Sequence, residues 1–229
     1  NKFTIRYAND ANRRDIIYGK KIKTVDEGTM EMPLHSEASY SPSWPEIVWF
    51  FCNKPSKKGG ETTLCDGVEL WKILPAKLKL YFLKQPIKYS IEIKLPKIKT
   101  KKKIGMQNWI TNTCGVSGYV DFKDHKAYLE ILRYAIFKVE HLDSYAFANH
   151  LIADNQNELQ IKNISMASGE AIPEEYIKII KEKSCAITYE HSWKKNDILM
   201  IYNKRFMHGR NGFPKNSGRV TVLFHCLRK

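Results

Sequence analysis

The chain has 229 residues, 43% of them hydrophobic and 27% charged, enough for one large domain with a real core and too apolar for wholesale disorder. The formal charge is +14, but 30 of the 38 basic residues are Lys, and a nucleic-acid reader would lean on the bidentate fork of Arg. No apolar run approaches the roughly 20 residues of a membrane span, and five scattered Cys without a C-x-x-C spacing argue against a zinc ribbon or a disulfide framework and suit a reducing compartment, the cytoplasm.

Residues 1–30 are polar and basic, with two short strands expected around 16–18 and 21–25. Next comes Pro33-Leu34-His35-Ser36-Glu37-Ala38-Ser39-Tyr40. In an extended strand, residues two apart share a face, so His35 and Glu37 can reach one metal ion from one side. Pro42 and Pro45 fix a turn. Residues 46–52 form a short apolar run expected as a buried strand, residues 53–60 a loop, and residues 61–66 another strand. Asp66 is placed to cap a helix over 67–83, which Pro75 should split.

Residues 86–100 alternate in part (Ile87, Tyr89, Ile91, Ile93, Leu95) and read as a strand. Six Lys between Lys94 and Lys103 predict a surface loop or hairpin. Residues 104–122 are mixed. Residues 124–142 carry an apolar stripe at helical spacing (Tyr128, Ile131, Leu132, Ala135, Ile136, Val139) and read as the strongest helix of the chain. Strands are expected over 145–152 and 159–166. A helix follows, opened by Ile172-Pro173-Glu174-Glu175 and running to about Lys183. The last third is strand-like over 185–190, 197–202 and 218–227. Many strands with helices set among them predict a mainly β fold with inserted helices, a barrel or jelly roll.

His35 and Glu37 alone are a weak signal. A third ligand is available at His208, in Phe206-Met207-His208-Gly209-Arg210. Two His and one carboxylate form the facial triad of non-haem Fe(II) oxygenases. Many of these use a 2-oxo acid whose far carboxylate needs a fixed cation, best an Arg. Arg219 lies eleven residues after His208. With 211–217 as a turn, the two strands would lie side by side. The hydroxyl of Thr62, after Gly59-Gly60-Glu61, is a candidate second contact for that carboxylate.

With these pieces in order, the chain resembles the TauD/TfdA-like family of Fe(II)/2-oxoglutarate-dependent dioxygenases, and within it the branch of SyrP-like and clavaminate-synthase-like enzymes. The resemblance rests on His35-x-Glu37 with Ser39-Tyr40 and Trp44-Pro45, Phe50-Phe51-Cys52, Gly59-Gly60-Glu61-Thr62 with Asp66, Ile172-Pro173, Trp193, Asp197-Ile198-Leu199, Asn203, His208-Gly209-Arg210 with Phe213, and Gly218-Arg219. It spans about residues 15–225. It implies a double-stranded β-helix, a cupin-like jelly roll, as one domain over 1–229. A helical and loop insert at about 67–184 would shape the substrate pocket.

The resemblance further implies Fe(2+) on His35, Glu37 and His208. The co-substrate 2-oxoglutarate would sit on Arg219 with Thr62, and O2 would be the oxidant. The expected reaction is hydroxylation of an amino acid or amino-acid-derived small molecule, free or tethered to a carrier protein. Because Glu37 fills the carboxylate position, halogenation is disfavoured. Arg210 and Asn149 are candidate pocket residues, and His150 reads as a half-buried histidine beside them. The alternatives are an oxygenase acting on a nucleic acid or protein through the basic surface, and a non-catalytic metal-binding jelly roll. Three departures stand out. Family members usually carry more chain before the H-x-E motif, residues 86–170 match loosely, and Leu223 stands where some relatives carry a second Arg for acidic substrates.

Overall fold

A computed structural model of the chain describes residues 3–6, 15–16, 22–24, 28–42, 44–95, 100–153 and 161–228. In chain order its first strands are β1 (Phe3–Arg6), β2 (Asp15–Ile16), β3 (Ile22–Thr24), β4 (Met32–His35), β5 (Ile47–Lys54) and β6 (Thr62–Asp66). Helices α1 (Gly67–Ile73) and α2 (Ala76–Lys84) follow, then β7 (Ile87–Lys94), α3 (Thr100–Asn112), β8 (Val116–Asp121), β9 (Lys126–Arg133), β10 (Ile136–Val139) and β11 (Ser144–Phe147). The chain continues with β12 (Ile161–Met166), α4 (Glu174–Ala186), β13 (Tyr189–His191), β14 (Ile198–Tyr202), β15 (Phe206–Arg210) and β16 (Val220–Arg228).

Two antiparallel sheets form the jelly roll. The major sheet runs β14-β5-β16-β3-β2, with β1 also on β16, and the minor sheet runs β13-β6-β15-β4. Strand alternation sets their facing sides. On β15, Phe206 packs inward with Leu64 of β6 against Val48, Phe50 and Ile201 of the major sheet, whereas Met207 and Cys65 point outward into a second, larger core. On β14, Leu199 and Ile201 face in and Ile198 and Met200 stay exposed. Two residues beyond Phe206, the His208 ring lies 5.3 Å from that of Phe50, so it too faces the space between the sheets.

The larger core lies behind the minor sheet. There α1, α2 and α4 pack with a third sheet, β12-β7-β9-β8, and the β10-β11 hairpin, through Leu70, Phe82, Tyr89, Phe147, Met166 and Ile180. The described residues of 67–184 therefore carry six strands as well as helices and loops. The cap and the split foreseen for the first helix are present. Asp66 accepts a hydrogen bond from the Val68 amide at 2.9 Å, and Pro75 separates α1 from α2. Arg205 clamps the same carboxylate with two nitrogens.

The helix expected over 124–142 is instead β9 and β10. Its stripe fits a helical period, but Ala127, Leu129 and Ile131 also alternate, and these are the side chains the core buries. A tight turn starts the strand. The Asp121 carboxylate accepts from the Lys123 and Asp124 amides, and His125 takes a left-handed φ of 53°. Flanking strands β7 and β8 then satisfy the β9 backbone on both edges, and this tertiary pairing overrides the local pattern.

Conversely, the mixed stretch and the tail of the basic run contain α3. Among its described side chains Ile110 is the one deeply buried, and Gln107 docks the helix by accepting from the Val120 amide at 2.7 Å. Residues 96–99 of that run lie outside the described residues. The strand expected from Cys185 begins only at Tyr189, because α4 continues to Ala186.

Gly209 marks where β15 is squeezed between its neighbours. A Cβ there would meet the Met32 carbonyl oxygen on β4, and Thr63 Oγ1 on β6 at 2.7 Å. Gly209→Ala is expected to destabilise the fold by about 1–3 kcal/mol, the usual cost of overpacking. Urea denaturation with an unchanged m-value measures it.

Candidate metal centre

His35 ends β4 and pairs with His208 across the β4-β15 ladder. Glu37 arrives differently from expectation. The strand stops at His35, and residues 37–40 form a turn in which Ala38 takes a positive φ of 51°. Glu37 thus swings back beside His35 from the turn instead of sharing an extended face with it. The His35 Nε2 and His208 Nε2 atoms lie 3.6 and 3.8 Å from Glu37 Oε2, and all three donor atoms fall within 4.8 Å of one another. The centre of a donor triangle about 4 Å on a side is about 2.3 Å from each corner, close to metal bond lengths of about 2.0–2.2 Å. His35 Nδ1 donates to the Pro33 carbonyl at 2.9 Å, which leaves Nε2 unprotonated and aimed at the centre.

Asn203 locks the turn. It is fully buried. Its Oδ1 accepts from the Glu37 amide at 2.8 Å, and its Nδ2 donates to the carbonyls of Glu37 and Pro45, both at 2.9 Å. The Ser36 hydroxyl donates to the Asn203 carbonyl at 2.6 Å and accepts from the Trp44 indole at 2.9 Å. Every polar atom of the Asn203 amide oxygen and nitrogen pair is thereby used to fix the Glu37 backbone. Asn203→Ala leaves buried backbone groups unpaired, and we expect metal affinity to fall about 10–100-fold with all three donors intact. Metal titration of the variant checks this.

The cation site lies on the opposite sheet. Arg219 precedes β16, which pairs with β5 and not with β15. The strands of His208 and Arg219 are therefore not neighbours, because residues 211–218 carry the chain from the minor to the major sheet. The guanidinium of Arg219 is centred 5.1 Å from the Phe213 ring, and that of Arg210 lies at the same distance from the same ring. Burial, then the charge of Arg210, pushes Arg219 down to about 10, so it stays cationic near neutral pH. Gly60, at φ 78°, makes room for it, since a Cβ there would lie 3.1 Å from Arg219 Cδ. Thr62 is buried and its hydroxyl accepts from the Trp193 indole at 3.0 Å. With its acceptor side engaged, the Thr62 hydroxyl keeps its proton for an incoming acceptor. A largely desolvated cation and a hydroxyl proton are the two kinds of donor that a carboxylate takes.

The sequence matches the family described as "Taurine catabolism dioxygenase TauD, TfdA family" over residues 4–227. The chain belongs to that family. A comparison with curated protein sequences finds no match. Solved structures show the same fold at low identity. An asparagine oxygenase in complex with Fe(II), 2S,3S-3-hydroxyasparagine and succinate matches with a TM-score of 0.59 and 11% identity, over 90% of this chain and 56% of that one. AAD-2 in complex with Mn(II) and N-oxalylglycine matches at 0.56 and 13%, over 86% and 63%. The PvcB protein from Pseudomonas aeruginosa matches at 0.53 and 11%, over 100% and 63%. The chain thus spans between 56% and 63% of the length of these three proteins.

Within this TauD/TfdA-type barrel the remaining candidates separate. Arg210 is buried and donates to the Met30 carbonyl at 2.9 Å, on the Arg219 side of the site. Asn149 does not offer its side chain to a pocket. It donates to the Ala135 carbonyl at 2.8 Å and accepts from the Leu151 amide at 2.9 Å, while its carbonyl accepts from the Ser36 amide. Its neighbour His150 is buried, not half-buried, and its ring meets those of His35 and Tyr40 at 5.2 and 5.3 Å. Burial, then the neighbouring His35, pushes its imidazole down to about 3. Asn203 entered the sequence analysis only as a residue that matches the family, with no clamping role, and the buried Thr221 on β16, two residues beyond Arg219, had no role there. A buried Asn in a turn gives no periodic signal.

Proposed function

We propose that the protein is an Fe(II)- and 2-oxoglutarate-dependent oxygenase. It hydroxylates an unactivated C–H bond of an amino acid or amino-acid-derived small molecule, with succinate and CO2 as co-products. The observation that carries this reading is the convergence of His35, Glu37 and His208 within 4.8 Å, in a family whose description is that of a dioxygenase. His35, Glu37 and His208 would hold the iron. Arg219, with Thr62, would hold the far carboxylate of 2-oxoglutarate. Bound iron, 2-oxoglutarate and O2 together supply the oxidising power for the C–H bond.

The rest is the work of this chain. Asn203 and Ser36 hold the Glu37 turn in place before any ligand arrives, so no reorganisation is needed on binding. Phe50 packs on His208 and fixes its ring. The apolar inter-sheet cluster around Val48 and Ile201 keeps water from that flank of the site. Pro33 fixes the tautomer of His35. The segment 67–184 shapes the substrate side and supplies His150.

The amino-acid class is supported by the asparagine oxygenase, whose structure holds 3-hydroxyasparagine. A carrier-tethered form of such a substrate belongs to the same reading, while nucleic acids and membranes are not partners in it. Among the described residues no helix is long and apolar enough to cross a membrane. The free Cys52, Cys65, Cys114 and Cys185 support a reducing compartment such as the cytoplasm. A screen of amino acids scored by succinate release tests the reading. Stimulation by one or a few of them is expected, and stimulation only by nucleic acid or protein would overturn the substrate class.

A further inference from the structure

Resting on the oxygenase reading above, we infer that Arg133, with His150, forms an anion-binding pole in the substrate pocket that takes the free carboxylate of the substrate. Both residues come from the loosely matched middle of the chain, and both are left unsatisfied by the fold. Arg133 ends β9 and reaches the H-x-E segment, where its NH2 group donates to the Ser41 carbonyl at 3.2 Å. Its Nε is buried without a partner, and among the described residues no carboxylate pairs with it. A half-buried guanidinium held only by backbone carbonyls is a costly arrangement that an anion would relieve. Neither ring nitrogen of the buried His150 makes a well-formed hydrogen bond, although the Ser36 backbone acts on the ring, against a background in which nearly all buried polar atoms are paired.

The two residues lie around one set of rings. His150 stands against His35 and Tyr40, the Tyr40 ring lies 6.3 Å from Tyr89, and the Arg133 charge acts on the Tyr89 phenol. This group borders the metal ligands on the side of the β7-β9 sheet, away from Arg219 and Phe213. It therefore serves a different anion from the far carboxylate of the co-substrate. It also offers an anchor for an acidic group where Leu223 offers none. Arg133 supplies the fixed charge, and the imidazole of His150 supplies a ring nitrogen for the polar group next to that carboxylate. A substrate held this way carries a free carboxylate, which narrows the reading above to the untethered form.

The test compares each of the twenty free L-amino acids with its primary carboxamide, which keeps the shape and removes the anion. Anaerobic binding to the Fe(II) and 2-oxoglutarate complex of the full chain is read from its visible charge-transfer band, and turnover from succinate release. The expected result is that at least one free acid perturbs the band and its amide does not. In Arg133→Met, the KM for that acid should rise roughly 30-fold or more, with the 2-oxoglutarate KM and the unfolding midpoint little changed. Arg133→Lys should recover part of the loss, and His150→Phe should raise the same KM. The inference is overturned if amides bind as well as acids, if no free amino acid binds, or if Arg133→Met keeps the wild-type preference. Absence of the band in the wild-type protein overturns the oxygenase reading itself, and the two failures are thereby distinct.

Discussion

Glu37→Ala is expected to remove metal binding and, with it, all coupled succinate formation. The carboxylate lies 3.6 and 3.8 Å from the two imidazole nitrogens and is the one anionic donor of the set. Without it a divalent ion would face two neutral ligands, with no charge to offset its dehydration. Changes in outer-shell partners alone typically cost 10–100-fold in metal affinity. Loss of a direct ligand should exceed roughly 100-fold. Because the Glu37 backbone, not its side chain, carries the Asn203 bonds, the variant should fold normally. Calorimetric titration with Fe(II), or with Mn(II) as an air-stable probe, reads the loss directly. Retention of tight binding by Glu37→Ala would mean that the metal sits elsewhere.

Arg219→Met is expected to separate the two halves of the site. Metal affinity should stay near wild type, because Arg219 is not a donor. Affinity for 2-oxoglutarate should fall by about 2–5 kcal/mol, roughly 30- to 4,000-fold, the range for truncating one member of a buried ion pair. The substituted side chain retains the packing against Phe213. Arg219→Lys should be intermediate, since an ammonium cannot reproduce the planar fork. The free protein should become no less stable, because the guanidinium is buried at a cost that lowers its affinity for protons. The sign follows from the direction of that shift. A group depressed in the folded state favours unfolding while it is protonated, which for Arg219 holds throughout the range below about 10. In the wild type, 2-oxoglutarate at 100 times its dissociation constant should stabilise the fold by about 2.7 kcal/mol, and in Arg219→Met the same concentration should stabilise it by no more than about 0.9 kcal/mol.

What could be read from the residues was the chemistry and the outer frame. His35, Glu37, His208 and Arg219 are residue types with few structural uses in this order, and they lie on or next to short apolar strands. The middle of the chain was less legible for physical reasons. Over 124–142, a strand with one buried face and a hairpin after it place apolar residues at both two-residue and four-residue spacings. Only the presence of β7 and β8 on either side decides between the periods. In α3, a lysine-rich first turn and one buried Ile hide a helix that tertiary contacts support. The placing of Arg219 on the sheet opposite His208 depends on where residues 211–218 cross over, and turn residues alone do not fix that. The direction of the Asn149 side chain, just after β11, was not legible because it depends on the bonds it makes with the Ala135 and Leu151 backbone.

The most direct measurement is the visible spectrum of the protein mixed anaerobically with Fe(II) and 2-oxoglutarate. If one ion sits on His35, Glu37 and His208 while Arg219 steers the co-substrate to chelate it, a weak charge-transfer band should appear. It should vanish in Glu37→Ala and shift to much higher 2-oxoglutarate concentrations in Arg219→Met. A wild-type protein that binds both components without the band, or a band that survives in Glu37→Ala, would contradict the assignment of this site.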